Sequence, residues 1–398
     1  MLAEIVLFLC LGTAVGIFTG LVPGVHINMV GSLIASSSLL LISSINPIYL
    51  VVFIVSMSIT HVFVDFIPSI FLGAPQEGTE LSVLPGHEML KNGLGLQAVH
   101  LASIGCLIGL FIFVIMILPL SFITKVFSES AIGPKVIPFV LIFISLNVVF
   151  SEEKKFSALF AFLVSGVLGL IVLNLGLKDP LVPLLTGLFG ASGVLLSIKS
   201  KTKIESQKTS EKIKIKKFKP LLASTFFSPL SLFFPALSSG QIAVIGNRFS
   251  KSNKEEFLFM LGAINILAMS FSFLALFLIA KTRTGSAAVV KELVGVPGIN
   301  TFVLIVVIIV VSGVCAFFVT KFLSKKFLII LQKIDYTKVS FFVLGIMVLV
   351  TFLVGGFFGL LVLLVSTATG VYCISMKVSR INMMGCLLLP TIIFYLML

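Results

Sequence analysis

A proline followed by a glycine, Pro23-Gly24, interrupts an apolar run that otherwise extends from Leu2 to Ile42. In hydrocarbon no water reaches the N–H and C=O groups that such a break frees, so it survives only where it lines a cavity or packs against protein. Val25, His26 and Asn28 follow at once and bring polar side chains to the break. A second interruption comes about half a chain later, in the stretch from Leu232 through Pro235 and Ala236 to Ser238, Ser239, Gly240 and Gln241. Paired breaks in corresponding positions of two halves point to a binding site at the middle of a membrane.

The rest of the sequence fits a membrane solvent. With 58% hydrophobic and 11% charged residues, the chain lies outside the range of soluble domains and reads as an all-α polytopic membrane protein. The net charge of +13 is not a nucleic-acid footprint, because nine lysines crowd between Lys199 and Lys219 and most other charges separate apolar segments. Five cysteines stand singly, without metal or redox spacing. No basic region precedes the first apolar run, which is expected to stay in the mature protein.

Taken in order, Leu2 to Ile42 reads as a re-entrant hairpin, with Gly12, Gly16 and Gly20 as a small-residue packing stripe on its first arm. Spans follow at Pro47–Val64, Ala98–Ile123, Val136–Phe150, Phe156–Leu175 and Leu181–Ile198, with a broken apolar segment at Phe66–Gln97. The second half repeats the inventory: a hairpin of Leu221–Phe234 and Gln241–Phe249, then spans at Phe257–Ala280, Thr301–Phe322, Ser340–Leu353, Phe357–Ile374 and Met383–Leu398, with a Gly-rich loop at Lys281–Ile299. The organisation is thus repeat 1 (residues 1–198), a basic linker (199–219) and repeat 2 (220–398). Each repeat is one hairpin plus five spans. Five is odd, so the halves start on opposite faces and the repeats are inverted, with the N-terminus outside and the lysine-rich linker cytoplasmic. Arg248–Glu256, Lys321–Lys338 and Lys377–Arg380 then also face the cytoplasm, whereas Lys281, Arg283 and Lys291 fall outside and count against this topology unless they line the entrance to an anion-binding cavity.

Helix N-termini converging at the midplane offer unsatisfied N–H groups and the positive end of the helix dipole, an anion site that needs no buried lysine. Pro23, Gly24, Val25, His26 and Asn28 in one break and Pro235, Ser238, Ser239 and Gln241 in the other are the substrate-binding candidates, joined by Gly73, Pro75, Thr79 and Asn265. His61 and Asp65, four apart and so on one helix face, form the ionisable pair of the first half and are candidates for coupling to H⁺ or Na⁺. A hydrogen-bonded pair that only fixes the helix is the alternative for these two. His87 and His100 read as structural. No nucleophile–base pair, phosphate loop or metal cluster is visible, and the chain is not read as an enzyme.

Gly16–Asn28 resembles the Gly-rich Leu-Pro-Gly signature of the large permease subunit of tripartite tricarboxylate transporters. Gly73-Ala74-Pro75, followed by Pro85-Gly86, Leu90, Gly93 and Ala98, is similar to that family's second signature. The resemblance extends over the whole layout and implies secondary transport of carboxylate anions, driven by an ion gradient and assisted by a substrate-binding protein and a small membrane subunit. Two departures stand out: Pro235-Ala236 replaces the usual Pro-Gly, and Ala263-Ile264-Asn265-Ile266 replaces an acidic, Asn-rich signature. The chain therefore reads as a short, divergent, archaeal-type branch, and oligomerisation is open. Two further readings stand beside it. Polyprenyl-phosphate translocases also use paired re-entrant hairpins, and a lipid-modifying membrane enzyme would use His61 and Asp65 as acid and base.

Overall fold

A computed structural model describes residues 2–22, 45–73, 79–128, 133–177, 179–199, 207, 218–234, 237–333 and 336–397. All regular structure among them is helical, and eight of the helices are long and apolar enough to cross a membrane. Pro23 to Asn28, Pro75 and Pro235 lie outside the described residues, as does the turn of the first hairpin.

α1 (Leu2–Leu21) lies along α2 (Pro47–Val64). The glycine stripe makes that contact, as the sequence predicted: a Cβ on Gly12 would meet the Phe53 carbonyl at 2.3 Å, and one on Gly16 the Met57 carbonyl at 2.5 Å. Asn46 starts α2 by accepting from the Ile48 N–H at 3.0 Å, and Pro47 occupies the first turn, where its missing N–H costs nothing. The span continues through Asp65 into α3 (Phe66–Phe71). It is 94% buried over its apolar window against 17% for α1, so α2 is central and α1 is an outer helix.

The segment 66–97, expected to be too broken for helix, contains α3, a 3₁₀ turn at Glu80–Ser82 and α4 (Val83–Lys91). Pro85 does not break α4 because it sits in the first turn, where N–H groups have no partner within the helix. α5 (Gly95–Ser128), α6 (Gly133–Phe150) and α7 (Lys155–Leu173) follow. A final first-half span joins α8 (Leu181–Leu185), a π-helical stretch at Thr186–Ala191 and α9 (Ser192–Lys199).

In the second half the arm expected at 221–234 divides at Ser228-Pro229 into α10 (Phe218–Phe227) and α11 (Leu230–Phe233). α12 (Ser239–Ser250) and α13 (Lys254–Ile279) come next, each opened by a capping box. The supposed loop 281–299 holds α14 (Gly285–Val294), started by the Thr284 hydroxyl accepting from the Ala287 N–H. α15 (Ile299–Lys333) and α16 (Tyr336–Ser375) precede a 3₁₀ turn at Arg380–Met384 and α17 (Gly385–Met397). α16 folds at Gly356, whose φ of 59° suits glycine. A Cβ on Gly359 would lie 3.0 Å from the Thr351 carbonyl. Those residues would be about 12 Å apart along a straight helix, so the chain turns back there, between the two expected spans.

Packing exchanges partners between the halves. α13 crosses α5 at backbone contact: a Cβ on Gly105 would lie 2.0 Å from the Phe259 carbonyl, and one on Gly262 would lie 2.1 Å from that of Ala102. α2 packs on α15 and α14, and α13 packs on α5 and α4. A smaller core joins α7 to α17 and α8–α9 to α16.

Candidate functional site

α12 begins among buried residues with its first turn capped. Ser238 Oγ accepts from the Gln241 N–H at 3.3 Å, while Gln241 Oε1 accepts from the Ser238 N–H at 3.0 Å. Ser239 Oγ donates to Asn265 Oδ1 of α13 at 3.1 Å. These bonds use the amide oxygens. Gln241 Nε2 and Asn265 Nδ2 are buried and have no hydrogen-bond partner among the described residues, although Gln241 is 1% and Asn265 7% exposed. Buried amide donors are normally satisfied, so two at one helix start call for a missing acceptor. The dipole of α12 favours an anion there.

First-half residues border this turn. A Cβ on Gly240 would meet Leu81 Cδ1 at 3.1 Å, which places the 3₁₀ turn beginning at Thr79 beside the start of α12. Thr79 Oγ1 shares a 2.7 Å hydrogen bond with Ser69 Oγ, and Ser69 Oγ also lies 2.7 Å from the carbonyl of Asp65. Ser69 was missed in the sequence. Its signal was its spacing, one helical turn past Asp65.

His61 and Asp65 are buried, at 4% and 1% exposure. His61 Nδ1 lies 2.9 Å from Thr19 Oγ1, tying α1 to α2. Asp65 is within electrostatic reach of Cys106 on α5, whose Sγ donates to the Gly262 carbonyl at 3.2 Å. Gly73 has a turning role, ending α3 with a φ of 66° against Val83 and His87. His87 is structural: its Nδ1 lies 3.3 Å from the Ile70 carbonyl, and burial pushes its pKa down to about 4 against the opposing pull of that hydrogen bond.

Two of the cations expected on the outer face bond backbone carbonyls. Arg283 Nε and Nη2 donate to the carbonyls of Leu232 and Phe233 at 2.9 and 3.0 Å, and Lys291 Nζ donates to that of Ala280 at 2.8 Å. They bond carbonyls that end helices, at the negative end of each dipole. Arg283 thereby clasps the arm of the second break just before it turns.

The chain matches the tripartite tricarboxylate transporter TctA family over residues 6–385. It is 30% identical over 405 residues to an uncharacterized protein of the archaeon Methanocaldococcus jannaschii, covering 98% of each chain. No solved structure matches. A match across nearly the whole length, on a helical membrane fold, makes this chain a member of the tripartite tricarboxylate transporter TctA family.

Proposed function

We propose that the protein is the large permease of a carboxylate transporter, binding one small organic anion at the first turn of α12 and moving it by alternating access. The observation that carries this is the pair of buried donors, Gln241 Nε2 and Asn265 Nδ2, at a helix start. Neutral amides and a helix dipole hold an anion without trapping it, which a permease needs and a tight binder does not.

Alternating access is supported by the exchanged packing. The first span of each half, α2 or α13, lies against the second long helix and the short helix of the other half. Two halves related by a two-fold axis in the membrane plane produce that exchange. In this reading the lysine-rich linker is cytoplasmic, Asp65 with His61 binds the H⁺ or Na⁺ that drives uptake, and Ser69 and Thr79 connect that carboxylate's turn to α12. A substrate-binding protein and a small membrane subunit, the partners that the family name implies, would deliver the anion.

The lipid-carrier alternative gains little. The large apolar cavity, about 760 Å³ between α9 and α16, is lined by Leu195, Leu344, Leu363 and Tyr372 and by no residue of the α12 turn. The deciding experiment is citrate uptake into proteoliposomes under imposed Na⁺ or H⁺ gradients, with dicarboxylates in parallel. Gradient-dependent accumulation is expected, lost in Asn265→Leu. Failure with every carboxylate, with a lipid phosphate retained through purification, would overturn the reading in favour of a lipid carrier.

A further inference from the structure

A smaller cavity, of about 240 Å³, opens where segments of both halves meet, lined by Leu81, Pro85, Asn247, Lys254, Phe257 and Arg380 among others. We propose that it is a separate anion site that holds a small carboxylate between the α12 turn and the linker end of the bundle. The identity of the anion rests on the transport reading above; the existence of the site does not.

Arg380 is the reason. Its Nη1 is buried and has no hydrogen-bond partner among the described residues. The neighbouring carboxylates are engaged elsewhere. Glu152 Oε1 accepts from the Ser379 N–H at 3.3 Å and from Asn382 Nδ2 at 3.2 Å, Glu88 pairs with Lys254, and Glu256 closes the capping box of α13. Arg380 is half-buried, but leaving its buried Nη1 unpaired is costly, and the partner that matches the planar fork is a carboxylate or phosphate.

The guanidinium is also held in place. Ser379 Oγ caps the 3₁₀ turn that begins at Arg380, and a Cβ on Gly193 of α9 would lie 3.3 Å from Nη1, so the group rests on α9 backbone. Donors surround the space. Asn247 Oδ1 accepts from the Ser252 N–H at 3.0 Å, which leaves its NH₂ as the donating end, and α13, 26 residues long, starts at the cavity with its positive pole. The volume is below the roughly 300–1,000 Å³ of drug-sized ligand sites, so the occupant is small.

Position assigns the role. Leu81 both lines the cavity and touches Gly240 at the α12 turn. From Gln241 to Asn247 is about 9 Å along α12. An anion released from the donor turn toward the linker end meets Arg380 next.

The sequence contains no tryptophan, so Phe257→Trp creates a single reporter in the cavity wall. In detergent without added lipid, citrate should change its fluorescence saturably. Adding Arg380→Gln should weaken that response about tenfold or more, and Arg380→Lys by less, because charge persists while the fork is lost. Adding Asn265→Leu should leave the response in place. Unchanged citrate affinity in a folded Arg380→Gln protein would overturn the proposal, as would loss of the signal in Asn265→Leu alone. A response to phosphatidylglycerol vesicles that citrate neither produces nor competes for would make the occupant a lipid headgroup and also overturn it. If uptake fails for every carboxylate while the Arg380-dependent citrate signal stands, the transport reading falls and this site remains.

Discussion

The two halves bury different chemistry. On α2 and at its C-terminal cap two buried polar groups are ionisable, His61 and Asp65, with Thr19 and Ser69 close by. At the start of α12 and on α13 the buried polar groups are neutral, Ser239, Gln241 and Asn265 among them. A carboxylate in hydrocarbon is stable only with a proton, a cation or dense hydrogen bonding, whereas amide donors at a helix start await an acceptor. In the proposed mechanism the driving ion therefore belongs to the first half and the anion to the second, on one frame.

The largest expected effect removes the frame itself. Gly262→Leu drives a side chain into the Ala102 carbonyl, and Gly105→Leu into that of Phe259. Backbone cannot yield as side chains do, so both variants should fail to give a monodisperse peak in detergent size-exclusion chromatography. Wild-type behaviour would show that the α5–α13 crossing does not hold the two stations together.

Next comes the anion station. Asn265→Leu and Gln241→Leu each delete a buried donor, and a hydrogen bond to a charged group contributes about 1.5 to 3 kcal/mol. Citrate affinity, read by ligand-dependent thermal stabilisation, should fall about 10- to 100-fold in either. Ser69→Ala should act less strongly and through the link to Thr79, costing about 1 kcal/mol of stability and slowing uptake without lowering citrate affinity. An equal affinity loss in Ser69→Ala would place the first half in the anion site and blur the comparison.

The smallest effect is a pH term that belongs to neither station. With its folded pKa held near 4 by burial, His87 resists a proton that the unfolded chain accepts near 6.5. Its contribution is intact above about pH 6.5 and is lost progressively as pH falls toward 4. The melting temperature of the wild type should fall across that window more steeply than that of His87→Gln. Parallel pH profiles would remove His87 as the cause.

Much of this was legible in the residues. The glycine stripe of α1 announces a close neighbour, and the span read from Pro47 begins there. What escaped was long-range or cooperative. Ser69 meets Thr79 only because the chain doubles back, Arg283 finds the ends of α11 carbonyls fifty residues upstream, and Arg380 gains meaning from α9 and α13. α14 was read as loop because its glycines suggested turns, yet Gly285 occupies the first helical position, where glycine is tolerated, and Gly295 ends it with a φ of 69°.

The central claim, ion in one half and anion in the other, is tested most directly by comparing exchange with accumulation in the same proteoliposomes. Preloaded citrate exchanging against external labelled citrate needs the anion site but no net ion movement, while uphill accumulation needs both. Asp65→Asn should retain exchange and lose gradient-driven accumulation, and Asn265→Leu should lose both. If Asp65→Asn abolishes exchange as fully as accumulation in a folded protein, or Asn265→Leu exchanges like the wild type, the division of labour between the halves is wrong.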